Sequence, residues 1–237
     1  MITAADIKIT HEKIAPYINY TPVQHSPYLS QLADADVYLK LDCIQKTGSF
    51  KFRGAMSKLI SIPESERKSN AYAASTGNHG AAVSLGASIL GMKCNVIVPE
   101  GTSPAKLEMI KMYGGTIEFY GTDCLEAEAH AQKLVLENGG TYVSPYNDEA
   151  VIRGQGTMGV ELSESLTNID AVFVAVGGGG MIGGLGTYLK TVFTNIEIVA
   201  ASPKNSCVMY ESLQVGKILD LPSEPTLSDG TAGGVEE

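Results

Sequence analysis

Lys51 lies in the run Lys46-Thr-Gly-Ser-Phe-Lys-Phe-Arg-Gly54, flanked by Phe50 and Phe52. An ammonium normally stays in water. Lodged among aromatic rings it loses hydration and its pKa falls, and a neutral lysine amine is a nucleophile that can form a Schiff base with a carbonyl. On its own the run reads equally well as a helix start whose Lys51 reaches solvent.

A second candidate is Gly177-Gly178-Gly179-Gly180, which follows the apolar run Ala171–Val176 and opens a helical pattern. Glycines there let the backbone approach a ligand closely, and a helix N-terminus favours an anion such as phosphate. Close strand–helix packing is the plainer reading, but four consecutive glycines exceed what packing alone asks for. Gly178-x-Gly180-x-x-Gly183 also matches a dinucleotide pattern, yet Ala200-Ala201-Ser202 ends the next strand without the acidic residue that should meet the ribose. Ser202 and Lys204 leave room for a 2′-phosphate there, whereas the absence of Gly-Lys-Ser/Thr excludes a P-loop.

The third is Ser75-Thr-Gly-Asn-His-Gly80, between a short strand and a helix. Ser75, Thr76 and Asn78 offer side-chain donors beside the free N–H groups of a helix start, which suits a carboxylate. A plain N-cap needs only one such residue. His79 alone is weak evidence, since a lone histidine is more often structural. A phosphate cradle, a carboxylate loop and an imine-forming lysine together predict pyridoxal 5′-phosphate acting on an amino acid.

Bulk properties are compatible. The 237 residues suffice for one large or two small domains, and 44% hydrophobic content without Trp suits an α/β protein. A net charge of −9 makes nucleic acid and anionic membrane poor partners. Cys43, Cys94, Cys124 and Cys207 form no CxxC pair. The N-terminus does not read as a signal peptide and no run is long enough to span a bilayer, which predicts a cytoplasmic protein.

These motifs need positioning elements. The pattern predicts a helix over residues 3–18, a strand over 36–41 and a helix over about 49–62. From about residue 70, strand and helix alternate with short connections, as in parallel βαβ units. A long helix is expected from Asp148 to about Leu166, weakened by Gly154, Gly156 and Gly159. The run 171–176 reads as a central parallel strand buried on both faces. Beyond about Leu221 the chain is polar and glycine-rich, with no closing element.

The three motifs, in this order, resemble those of the fold-type II pyridoxal-phosphate enzymes of the threonine/serine dehydratase and serine racemase group, and the resemblance covers essentially the whole chain. It implies an α/β, tryptophan-synthase-β-like fold of two open parallel-sheet, three-layer domains. A small mobile domain would span residues 70–146, and a discontinuous large domain residues 1–69 and 147–237. It further implies that Lys51 forms the Schiff base and moves the α-proton, that Phe50 lies against the cofactor and that Asn78 bonds its 3′-oxygen. Ser75, Thr76 and His79, with the loop's N–H groups, would hold the substrate carboxylate. Gly177, Gly178, Gly179, Gly180 and Met181 would bind the phosphate, and the implied assembly is a homodimer. The expected reaction is elimination of ammonia from L-threonine, L-serine or a related β-hydroxy amino acid. The alternatives are racemisation on the same site, β-replacement, or a non-catalytic module that binds a phosphate ligand.

Three departures stand out. Thr76 occupies the position where racemases of the group carry a serine hydroxyl as second-face acid and dehydratases often carry alanine, so it favours neither. Ser202 and Val208 replace the acidic residues of metal-binding relatives, so no divalent-cation site is expected. Family members also continue well past Asp229-Gly-Thr-Ala232, which suggests an incomplete large domain, exposed apolar surface and impaired activity. Ser144-Pro-Tyr-Asn-Asp148 resembles the dehydratase version of its segment, although a Pro-Tyr turn into a helix explains it equally well.

Overall fold

A computed structural model describes residues 1–235, so the last two residues of the expected large domain, 236 and 237, lie outside the described residues. Helix α1 (Ala4–Ile14) opens on a reciprocal capping box between Thr3 and Asp6 and buries Ile7, Thr10 and Ile14 along one face. It stops four residues short of the expected end, where Pro16 has no N–H to continue the helical ladder. Strand β1 (Val23–His25) pairs antiparallel with β2 (Tyr38–Lys40), a shorter strand than expected. Helix α2 (Pro27–Ala33) lies between them, and Ser26 capping ahead of Pro27 is the signal that could have revealed it.

Helix α3 (Lys51–Ser61) carries the lysine motif and buries Phe52, Met56 and Leu59. Next come β3 (Ala71–Ala74), α4 (Asn78–Ile89), β4 (Cys94–Val98), α5 (Pro104–Met112), β5 (Thr116–Phe119), α6 (Cys124–Asn138) and β6 (Thr141–Tyr142). The four strands form one parallel sheet in the order β5-β4-β3-β6, with β3 buried throughout. Phe52, Met56 and Leu59 pack with Ala82, Val83 and Ala87 of α4 beneath this sheet, while Ala127 and Ala131 of α6 cover its other face against Tyr72 and Ile97.

Helix α7 (Glu149–Ser165) runs nearly as expected, capped by Asp148. Its glycines serve close packing rather than weakening the element. A Cβ at Gly154 would stand 2.5 Å from the Arg53 carbonyl, and one at Gly156 would stand 2.9 Å from the Gly184 carbonyl of α8 (Gly180–Val192). A second core joins Ile7, Met158, Leu162, Leu185 and Leu189 with Val174 of β7 (Ala171–Ala175).

Strand β7 corrects the sequence expectation. Among the described residues it pairs only with β8 (Glu197–Ala201), in parallel, and Phe173 is 76% exposed. One face of the pair packs on the core through Val174, while the face carrying Phe173 is open. After α9 (Val208–Val215), a single 3₁₀ turn at Asp229–Thr231 touches Gly177.

Candidate active site

Lys51 is the first residue of α3. Its amine donates to the Pro145 carbonyl at 2.8 Å and sits 5.4 Å from the centre of the Phe50 ring. Burial pushes its pKa down to about 8, with Glu128 of α6 acting weakly the other way. About a tenth of the amine is therefore neutral at pH 7, against well under a thousandth for an ordinary lysine. Glu128 was not anticipated, because nothing in the sequence places α6 opposite Lys51.

The loop 75–80 ends β3 and starts α4. Ser75 and Thr76 are half-buried and Asn78 is exposed. Ser75 Oγ accepts from the Gly77 N–H at 3.2 Å. Gly80 must be small, since its Cβ would stand 2.6 Å from the Ser75 carbonyl. His79 differs from the rest. It is buried, and its Nε2 lies 2.7 Å from the Val143 carbonyl. Burial, then the charge of Lys51, push its pKa down to about 3.

The glycine run ends β7 and starts α8. Gly179 adopts a left-handed φ of +84°, which favours glycine. A Cβ at Gly178 would meet the Tyr146 ring, one at Gly180 would stand 2.6 Å from the Tyr146 carbonyl, and one at Gly177 would stand 3.0 Å from the Thr231 carbonyl. Three members of the run thus have a packing reason to be glycine, and Gly179 has a conformational one. Met181 and Phe50 are both half-buried against the second core.

The three motifs converge on one strip of chain, Val143–Tyr146. His79 reaches Val143, Lys51 reaches Pro145, and Gly178 and Gly180 lie against Tyr146. Each motif opens a helix that no side chain caps. At α4 and α8 the first-turn N–H groups therefore remain available to a ligand anion, whereas in α3 the Phe52 and Arg53 N–H groups already donate to the Ser49 and Phe50 carbonyls. Near the lysine, Thr47 Oγ1, Ser49 Oγ and His79 Nδ1 are buried without partners. Buried polar atoms rarely stay unsatisfied unless something else completes them. A low-pKa amine, uncapped helix starts and orphaned hydroxyls fit a phosphate-bearing aldehyde.

Arg53, two residues after Lys51, was missed by sequence reasoning. It is fully buried and bonds Asp42 at 2.7 and 2.9 Å and Glu161 at 2.5 and 3.0 Å. Lys40 also pairs with Glu161. Burial pushes the Glu161 carboxyl up, but Arg53 and then Lys40 outweigh it and hold the group below the usual range. The cluster anchors α3 to α7. It assembles from positions too far apart in sequence to show as a motif.

Among the described residues, no helix is long and apolar enough to cross a membrane. Ser202 Oγ donates to the Val176 carbonyl at 3.1 Å.

Comparison with known proteins agrees with this geometry. The profile of the family described as "Pyridoxal-phosphate dependent enzyme" matches residues 14–237. A serine racemase from Arabidopsis thaliana is 38% identical over 96% of this chain and 70% of its own length. A catabolic L-threonine dehydratase from Staphylococcus aureus is 37% identical over 97% of this chain and 67% of its own. The maize serine racemase structure superposes with a TM-score of 0.94 at 32% identity, covering 99% of this chain and 71% of that one. The sequence resemblance is thus borne out, including the greater length of the relatives. The chain belongs to the pyridoxal-phosphate-dependent enzymes of fold type II, in the group that contains dehydratases, ammonia-lyases and racemases, with pyridoxal phosphate as its cofactor.

Proposed function

We propose that the chain is an ammonia-lyase that converts L-threonine, L-serine or a related β-hydroxy amino acid to a 2-oxo acid and ammonia. The observation that carries this reading is the amine of Lys51, buried to a pKa of about 8 and held on the Pro145 carbonyl. Bound pyridoxal phosphate supplies an electron sink for the charge left when an α-proton departs.

In this reading Lys51 would hold the cofactor through Nζ, and its amine would take the α-proton of the substrate. Phe50 would flank the cofactor and Asn78 would bond its 3′-oxygen. The N–H groups of Gly177–Gly180 and Met181 receive the phosphate at the start of α8. Ser75 and Thr76, with the N–H groups of Asn78 and His79, receive the substrate carboxylate at the start of α4. The β-hydroxyl leaves as water, and the released enamine hydrolyses to the 2-oxo acid and ammonia. Residues 70–146 form the small domain that closes over the substrate, and residues 1–69 and 147–237 form the large one. We further place the enzyme in the cytoplasm as a homodimer.

A second reading is racemisation on the same site, with Thr76 as its candidate acid. Its half-buried hydroxyl, in the loop beside the lysine, suits an acid on the opposite face of the α-carbon. Incubation with L-threonine or L-serine, followed by assay of 2-oxo acid and chiral analysis of recovered substrate, separates the two. Formation of 2-oxo acid with recovered substrate still L supports the lyase. Accumulation of D-isomer without 2-oxo acid overturns it in favour of the racemase.

A further inference from the structure

His79 is 3% exposed, and its Nε2 lies 2.7 Å from the Val143 carbonyl. A carbonyl only accepts, so Nε2 carries the proton and Nδ1 is bare. That Nδ1 is buried without a partner. The ring is neutral across the physiological range. A neutral ring whose N–H is already engaged is a poor ligand for a carboxylate.

The other end of this hydrogen bond matters more. Val143 stands two residues before Pro145, the acceptor of the Lys51 amine. Ser144 Oγ between them accepts from the N–H of Tyr146 at 3.4 Å and of Asn147 at 2.9 Å, which folds the strip into a tight turn. Asp148 then caps α7 and pairs with Lys58 at 2.5 Å. The strip is tied to α4 on one side and to α7 on the other, and the Pro145 carbonyl lies between the two ties.

We propose that His79 is a positioning residue. Its hydrogen bond to Val143 fixes where the Pro145 carbonyl stands, and so holds the amine of Lys51 in place. The role rests on Lys51 being the reactive amine of the proposed function, and it removes the His79 ring from the substrate ligands that the sequence suggests. The charged or titratable groups bearing on Lys51 are Glu128 on α6 and His79 on α4. Replacing His79 by an uncharged residue alters neither charge at neutral pH.

The test is the pH dependence of Lys51 acylation by trace acetic anhydride, read by peptide mass spectrometry on the chain without added cofactor. The unaltered chain should show a midpoint near 8, the value to which burial lowers the Lys51 amine. His79→Gln places an amide N–H where Nε2 stood, so its midpoint stays within about 0.3 pH units. His79→Leu leaves Val143 unpaired and moves the midpoint by roughly one unit, downward if the amine stays buried without its acceptor, upward if it swings into solvent. Should His79→Leu not fold, His79→Asn, whose shorter amide does not reach Val143, takes its place. An unmoved midpoint in the donor-lacking variant overturns the proposal, as does a Gln variant that shifts equally. A raised substrate KM with unmoved titration returns His79 to the substrate. The acylation readout needs no cofactor, so a failure of the lyase reading shows separately, as a normal titration in a chain that forms no product.

Discussion

Tyr146 lies across Gly178, its ring filling the space that a Cβ at residue 178 would occupy. Gly178→Ala therefore drives a methyl group into the ring and costs about 1–3 kcal/mol, as overpacking does elsewhere. Tyr146→Ala removes the obstacle, so the double variant should recover most of that loss. Chemical denaturation of the four proteins gives the coupling energy. Additive losses would mean that the contact is not what requires glycine there.

Glu161 offers a contrast between buried and surface charge. Glu161→Ala leaves Lys40 without its carboxylate partner and Arg53 with Asp42 alone. Breaking a buried pair in this way costs about 3–5 kcal/mol, which for a chain of this size lowers Tm by roughly 10 °C. Glu137→Ala removes a partner of Lys133 from an exposed pair 3.7 Å apart and should cost under about 1 kcal/mol. Calorimetry of both variants checks the ranking.

How far the sequence discloses these features varies with the physics behind them. Lys51, the loop at 75–80 and the glycine run are continuous segments, so each was visible with its flanking strand or helix. The parallel alternation from residue 70 was equally legible because short apolar runs punctuated by glycine repeat there. The Arg53 cluster was not, since Thr21, Lys40, Asp42, Arg53 and Glu161 meet only after folding. Strand β7 misled for a related reason. Its composition reports a two-sided environment, but among the described residues only β8 pairs with it and the Phe173 face is open. The role of Tyr146 in requiring Gly178 and Gly180 depends on a contact between distant segments, which no local pattern encodes.

Phe173 gives that open face a measurable consequence. At 76% exposure it contributes little to the core, so Phe173→Ser should leave Tm within about 1–2 °C. It should also reduce binding of a hydrophobic dye and self-association, both of which follow from exposed apolar patches. Sedimentation velocity at several concentrations reads the second effect.

His79 predicts a pH dependence of stability. Its folded pKa, about 3, lies below the unfolded value of 6.5, so the unfolded chain binds the extra proton between those limits. Stability therefore falls as pH drops from about 6.5 toward 3, by up to about 1.4 kcal/mol per pH unit from this one group. Carboxylates add their own acid sensitivity, so the comparison is with His79→Gln, whose curve should be flatter over that window. Identical curves would mean that the ring is protonated in the folded protein.

The most direct measurement is to mix the chain with pyridoxal phosphate, record the visible absorption, reduce with borohydride and locate the modified lysine by peptide mass spectrometry. A yellow protein whose stable modification falls on Lys51, and which Lys51→Ala leaves colourless, is the predicted result. Modification spread over surface lysines, or a colour that survives Lys51→Ala, would contradict the assignment of Lys51 as the reactive amine.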